Sequence, residues 1–342
     1  MNYKILVINP GATSTKVAFY EGERCVAKEN ISHPKEVSFE ERKKLVREFM
    51  ERFGKPDAIA ARGGPLKPLK SGTYRVTVEM VNDIKEGRVQ AQHVSLLAPL
   101  MGWELGQELG IPAFIVDPVS VDEMIPEARL SGFPEIKRKS LSHALNMRAV
   151  ARKVAEEMGG KFEDFNFVIA HLGGGISVSA FEKGRMIDTT NANEEAPFSP
   201  QRAGTVPSVS LVELAFSGKY TKEQLIKKLL KESGLVGYLG TDDMREVTAR
   251  IEKGDKEAEL VAKAMALQIA KYIGEMAVVL RGKIDAIILT GGLANSTWLV
   301  ERIKEYAGFL GKVVVYPGEN ELEALALGVL RVLRGEEKEE EY

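Results

Sequence analysis

The sequence, 342 residues long, contains a single cysteine, Cys25, so no intrachain disulfide can form and no cysteine cluster can hold zinc. That usage fits a reducing compartment, and a cytoplasmic protein is expected. Neither sign of charge is in excess: 47 Lys and Arg stand against 49 Asp and Glu. Without a basic surplus no nucleic-acid surface is expected, and an anionic ligand must be held by locally placed cations and backbone donors. No apolar run reaches membrane-spanning length, so no membrane partner is expected. The nearest run, over 259–281, is broken by Lys263, Gln268, Lys271 and Glu275. The chain enters an apolar strand almost at once, without a cationic segment and apolar stretch before it, so no signal peptide is expected. There is no long linker and no low-complexity stretch, and the charged tail RGEEKEEEY is expected to fray.

What is present is a regular alternation of strand and helix patterns, which argues an α/β architecture with enough chain for two domains. Apolar runs predict strands at 4–8, 15–20, 57–61, 113–117, 167–171, 176–181, 285–289 and 312–316. Helical periodicity covers 39–53, 94–109, 143–158, 210–217, 222–232, 255–281, 297–307 and 320–334. In the fifth of these Thr221 is the expected N-cap, and over 143–158 the inward face is read as Leu145, Ala149, Val154 and Met158.

Three apolar strands run into glycine turns: ILVINPGATSTK at 5–16, FVIAHLGGGISVSAF at 167–181 and IDAIILTGGLANS at 284–296. Such a turn exposes N–H groups that no ladder consumes, and glycine lets a phosphate approach them. The first two lie about half the chain apart, which suggests two related halves facing each other across a nucleotide. In the first turn Asn9 can reach a phosphate oxygen or a metal-bound water. Gly11, Thr13 and Ser14 can donate to phosphate, and Lys16 adds a mobile charge. An ordinary Asn-Pro-Gly turn with a solvated Lys16 is the plainer alternative. The spacing matches neither Walker A nor the dinucleotide fingerprint. In the second turn His171 precedes Gly173, Gly174 and Gly175, where an imidazole can donate to developing phosphoryl charge or simply satisfy a sheet end. Gly291, Gly292 and Asn295 belong to the third.

Other residues fit the same chemistry. Arg62 before Gly63-Gly64, and Arg202 in FSPQRAGT, are each either an anion clamp or a solvated loop residue. Asp117 closes the strand AFIVD, as a site carboxylate or in an Asx turn before Pro118. Glu321 can hold a magnesium-bound water or serve as a first-turn acid. His143 can act at a site or satisfy a helix end. Asp243 and Arg245 can touch a ribose and flank a base, or Asp243 can form a capping box with Glu246.

These segments resemble, in order and across nearly the whole chain, the signatures of the acetate and butyrate kinase family: NPGATSTK, ARGGP, VDPVSVDEM, KSLSHALN, AHLGGGISV, RAGTVP and LTGGLAN. Pro10 and Gly174 stand where acetate kinases would carry Ala and Asn, so the likeness is greater to butyrate kinases. The resemblance implies a duplicated actin-like (ribonuclease H-like) fold with mixed sheets and a nucleotide cleft between domains. Those domains would comprise 1–118 with 322–342, and 119–321. It further implies transfer of the γ-phosphoryl of ATP to a short-chain carboxylic acid, with Mg²⁺, by a homodimer or larger homo-oligomer.

Matched motif by motif, the resemblance implies a first phosphate site at Asn9, Ser14 and Lys16 and a second over Gly173 to Gly175. It implies a nucleoside site at Asp243, Arg245, Gly291, Gly292 and Asn295. Asp117, His143, His171, Arg202 and Glu321 fall at positions used around the reacting groups or the metal, with Asn9, Asp117 and Glu321 as the metal set. Ala12 replaces a usual Ser, Met101 an acetate-kinase His, and Ser142 a common Phe beside His143. Arg62 stands where acetate kinases have a His, their Arg lying further upstream. If position 142 lines the acyl pocket, the smaller side chain leaves room for butyrate or a branched acid. Alternatives are an acetate or propionate kinase, and a non-catalytic nucleotide-binding regulator on the same fold.

Overall fold

The apolar runs assemble into two separate mixed sheets. In the computed structural model, which describes residues 2–342, the chain divides into two units. Unit one takes the chain up to Asp122, Ala144–Asn146 and Asn320–Tyr342, and unit two takes Glu123–His143 and Met147–Glu319.

Unit one contains β1 (Lys4–Pro10), β2 (Ser14–Glu21), β3 (Arg24–Ser32), α1 (Phe39–Glu51), β4 (Ala58–Arg62), β5 (Thr73–Arg75), α2 (Val78–Lys85), α3 (Leu97–Leu109) and β6 (Ala113–Val116). Its sheet runs β3-β2-β1-β4-β6-β5. β1, β4 and β6 are parallel and central, which is why they read as nearly unbroken apolar runs. Ser38 and Glu41 form a capping box that starts α1. One sheet face, with Leu6, Ile8, Phe19, Ile59 and Ile115, packs with Val46, Met80, Met101 and Leu105 of α1, α2 and α3.

After β6 come α4 (Ala144–Glu157), β7 (Asn166–Leu172), β8 (Ile176–Glu182), β9 (Arg185–Thr189), α5 (Ser208–Phe216), α6 (Lys222–Lys231), α7 (Gly234–Leu239), α8 (Met244–Glu252), α9 (Lys256–Val279), β10 (Ala286–Gly291), α10 (Thr297–Ala307) and β11 (Val313–Pro317). The second sheet runs β11-β10-β7-β8-β9. Its core gathers Val168, Ala170, Ile287 and Leu289 with Met265, Ile269 and Ile273 of α9, the apolar run noted in the sequence. The final helix, α11 (Glu321–Leu333), belongs to unit one and packs on β1, β4 and β6. Gly328 permits that approach: a Cβ there would lie 2.4 Å from a Val116 methyl.

In chain order each sheet reads third, second, first, fourth, fifth strand, with β5 an extra edge in unit one. Two copies of one mixed-sheet topology confirm the duplicated actin-like α/β fold. Register makes the equivalence specific. Ile8 pairs with Ala61 and Ala61 with Ile115, while Ala170 pairs with Leu289 and Leu289 with Val315. Asn9 therefore corresponds to His171, Arg62 to Thr290, and Gly63-Gly64 to Gly291-Gly292.

Three sequence expectations are corrected. The three glycine turns, grouped together in the sequence, are not all equivalent. The first two turns are equivalent hairpin loops, whereas the third is the counterpart of Arg62–Gly64. The tail does not fray: the Glu340 N–H donates to the Thr73 carbonyl, Arg75 grips Glu339 through two bonds of 2.8 and 2.9 Å, and the Tyr342 hydroxyl donates to Asp83. On α4, Leu145 and Val154 are buried, but Ala149 and Met158 are only half-buried; Met147, Val150 and Ala151 complete the inward face. Among the described residues no helix is long and apolar enough to cross a membrane.

Candidate active site

In unit one the carboxyl ends of three adjacent parallel strands present Asn9, Arg62 and Asp117. Arg62 is 6% exposed, which removes the solvated-loop alternative. Its Nη2 lies 3.1 Å from Glu321 Oε1, while Asn9 Nδ2 donates to Glu321 Oε2 at 2.8 Å. Glu321 is the first residue of α11, and each of its carboxylate oxygens meets one of these two partners. Arg62 Nη1 is a buried donor without a hydrogen-bond partner among the described residues. A guanidinium with one prong occupied and the other unsatisfied suits an anionic oxygen.

Asp117 is buried and has φ +37°, a left-handed conformation that few residues other than glycine adopt. Its Oδ1 accepts the Gly72 N–H at 2.8 Å, and its own N–H donates to the Gly72 carbonyl at 2.9 Å. The carboxylate thus clasps Gly72 across β5 and β6.

The first turn is closed by the Gly11 N–H donating to the Ser14 carbonyl at 2.7 Å. Thr13 and Lys16 are exposed and Ser14 half-buried. Lys16 sits on β2 opposite Asn9. Beneath the turn, buried Arg42 of α1 donates to the Gly11 carbonyl and to Thr15 Oγ1, both at 2.9 Å, and burial lowers its pKa. Sequence patterning gave no signal for Arg42, because its partners lie 27 and 31 positions away.

In unit two His171 is fully buried, and its ring stacks on His143 at 3.9 Å between centroids and 8° between planes. His143 precedes α4 without capping it; its Nδ1 meets Ser177 Oγ at 2.9 Å. His171 Nε2 lies 3.2 Å from Glu319 Oε1, a contact absent from the sequence reading. In the second turn the Gly174 carbonyl accepts from Ser199 Oγ at 2.6 Å. Arg202 packs directly under it: a Cβ on Gly175 would lie 2.3 Å from Arg202 Nη1. The guanidinium is half-buried and donates to the Ala192 carbonyl at 3.0 Å. Among the described residues no carboxylate lies within ion-pair distance of it, and desolvation lowers its pKa. A desolvated cation without a counter-charge is costly unless an anion binds there.

The second and third turns line one cavity of about 1180 Å³, within unit two. Gly173, Gly174, Asp243, Arg245, Gly292 and Asn295 all face it, joined by Met244, Leu293 and Trp298 as apolar wall and by Glu319. Gly175 and Gly291 do not line it. Gly291 is buried with φ +88°, and a Cβ there would lie 2.4 Å from the Leu172 carbonyl oxygen, so it supports the turn from behind. Asp243 caps α8 through the Arg245 N–H, and hydrogen bonds from Arg245 hold its carboxyl down to about 2. The capping box is incomplete, because Glu246 bonds Thr241 instead.

Of the substituted positions, Met101 is buried in the unit-one core rather than at a polar site, and Ser142 is buried with its hydroxyl 3.6 Å from Met186 Sδ. As to a metal, no group of three or more His, Cys, Asp or Glu is placed to hold one among the described residues. Asn9, Asp117 and Glu321 nonetheless offer hard oxygens at adjoining strand and helix ends. That donor set suits Mg²⁺ arriving on phosphates with most of its waters, not a protein cage.

The acetokinase family matches residues 135–322, more than half of the chain. Among solved structures, the chain is similar to the acetate kinase of Porphyromonas gingivalis, with a TM-score of 0.80, 20% identity and coverage of 97% of this chain and 100% of that one. It is also similar to a propionate kinase from Francisella tularensis (0.78, 20%, 95% and 98%) and to the acetate kinase of Entamoeba histolytica (0.80, 17%, 95% and 98%). At these identities the structures speak to the fold, and the family match speaks to the chemistry. The chain therefore belongs to the acetokinase family of ATP-dependent carboxylate kinases.

Proposed function

We propose that the chain is a butyrate kinase, transferring the γ-phosphoryl of ATP to butanoate or a branched analogue and releasing ADP and butanoyl phosphate. The observation that carries the phosphotransfer reading is Arg202, a desolvated cation without a carboxylate partner, packed under a glycine turn that lines a nucleotide-sized cavity. The choice of acid rests on Pro10, Gly174 and the small residue Ser142.

A carboxylic acid is ionised at neutral pH, so the nucleophile needs no general base. The barrier lies in bringing one anion against another, and catalysis is positioning plus charge neutralisation of an in-line transfer. Arg62 orients the acyl carboxylate with its unsatisfied prong. Arg202 and His171 stabilise the equatorial oxygens of the moving phosphoryl group, and the His143 stack with Ser177 holds the His171 ring in place. Gly174 donates its N–H to the nucleotide phosphates beside Gly173, whose own N–H closes the turn on the Gly175 carbonyl at 3.2 Å, and Asp243, Arg245, Gly292 and Asn295 hold the nucleoside. Asn9, Ser14 and Lys16 of unit one serve phosphate as well. Glu321, Asp117 and Asn9 would hold Mg²⁺, which when bound would supply charge neutralisation of the phosphates. A homodimer or larger homo-oligomer is part of the proposal.

A hydroxamate assay with ATP and acetate, propionate, butyrate, isobutyrate or isovalerate tests it. The highest kcat/KM is expected for a four- or five-carbon acid. A maximum at acetate or propionate would assign the shorter-acid activity named for the similar structures. Acyl phosphate from none of the acids would point to a nucleotide-binding regulator. Ser142→Phe is expected to lower kcat/KM for butyrate relative to acetate by about 10-fold, the scale of one or two methylenes in an apolar pocket. An unchanged ratio would make Ser142 a packing residue only.

A further inference from the structure

We propose that the C-terminal residues 339–342 are a strap that positions Asp117 toward the divalent cation of the bound nucleotide. The inference rests on the role given to Asp117 above and adds residues that no functional motif includes.

The chain of contacts is short and lies wholly within unit one. Asp117 is held at φ +37° by a reciprocal pair with Gly72: N–H to carbonyl one way, N–H to Oδ1 the other. A residue in that conformation persists only where its surroundings over-determine it. Gly72 in turn has φ +146°, and its Cα faces the Glu340 side chain so closely that a Cβ would lie 2.6 Å from Glu340 Cγ. The next residue, Thr73, accepts the Glu340 N–H at 2.9 Å, so the tail adds itself beside β5 at that point. Two anchors flank the contact. Arg75 of β5 holds Glu339 in a fork, and Tyr342 donates to Asp83 of α2 at 3.0 Å while the Lys67 ammonium lies 3.9 Å from its ring centre. The tail therefore presses on Gly72, whose N–H holds Asp117 Oδ1. With that oxygen fixed, the second carboxylate oxygen has a single orientation, which is what a ligand at a strand end requires.

The test uses the full chain, a chain lacking residues 338–342, Asp117→Asn and the double variant. Mn²⁺ replaces Mg²⁺ as the probe, and its affinity in the ADP complex is read by electron paramagnetic resonance. Amide exchange at Gly72 is read in parallel. The shortened chain is expected to bind Mn²⁺ about 10-fold more weakly, the usual scale for losing an outer support of a ligand. Gly72 should exchange faster, and the double variant should be no weaker than Asp117→Asn alone, because both act through one group. For the case that the shortened chain does not fold, Glu339→Gln with Tyr342→Phe loosens both anchors and carries the same expectation. Wild-type Mn²⁺ affinity in the tail variants, alongside a weakened Asp117→Asn, would overturn the strap. Unchanged affinity in Asp117→Asn itself would sink the cation reading of Asp117 and the strap with it.

Discussion

Arg202→Ala is expected to cut kcat about 10²- to 10³-fold while ATP and ADP still bind. The split follows from where the residue sits. The cavity proposed for the nucleotide is walled by Gly173, Gly174, Asp243, Arg245, Gly292, Asn295 and Trp298, not by Arg202. Removing the guanidinium should therefore leave ADP affinity within about two-fold of wild type, a uniform-binding criterion read by calorimetry. Turnover should fall because the desolvated charge under Gly175 has no substitute: its protein bond goes to a neutral carbonyl at Ala192. Arg202→Lys keeps a charge but loses the fork, so it should recover only part of the loss. Gly175→Ala is the sharper control. Its Cβ would lie 2.3 Å from Arg202 Nη1, so the flexible guanidinium has to swing aside while the backbone, whose φ is ordinary, stays put. The Ala variant should copy Arg202→Ala in kcat. Turnover within three-fold of wild type in both would remove Arg202 from the reaction.

That Arg202 and the glycine turns were visible in the sequence, and their supports were not, has a physical cause. A turn that must bring backbone N–H groups to a phosphate needs consecutive small residues after an apolar strand, and that pattern is local. The central strands were legible for the same reason: buried on both faces, β1, β4, β6, β7 and β10 read as apolar runs. β3 was missed because RCVAKENIS is an edge strand with most side chains in solvent, so it has no alternation to read. β5 is three residues long, and α2, α7, α8 and β9 are short elements whose stability comes from what they touch rather than from periodicity. Residues acting across the fold left no local signature. Arg42 under the first turn, Glu319 against His171 and the tail against Gly72 are each set by distant pairing. The tail was misread because charge suggests solvent, whereas its Glu339 and Tyr342 find partners 264 and 259 positions away. The duplication was legible as two equivalent turns half a chain apart, but only register showed that the third belongs with Arg62–Gly64.

Glu321→Ala should be the most damaging single change in unit one, in stability as well as in rate. The carboxylate accepts from Asn9 and pairs with Arg62, whose side chain is 8% exposed against 16% for Glu321 itself. Truncation leaves a buried guanidinium without its counter-charge, a loss on the order of 3 kcal/mol. Thermal unfolding should register it as a fall of several degrees. Turnover should drop about 10²-fold or more, because Arg62 loses the contact that aims its second prong and the proposed cation loses a carboxylate. Glu321→Gln separates the two effects. An amide can still accept from Arg62, so most of the stability should return. Its oxygen is a poorer Mg²⁺ ligand, so the Mg²⁺ concentration for half-maximal rate should remain raised about 10-fold. Wild-type Mg²⁺ dependence in Glu321→Gln, together with wild-type kcat, would reduce Glu321 to an anchor for Arg62. Asn9→Ala then decides what remains. If Asn9 serves phosphate or metal water through its carbonyl oxygen, its loss lowers kcat even though Arg62 and Glu321 stay paired. If Asn9 only steadies Glu321, its loss is silent in rate and visible only in stability.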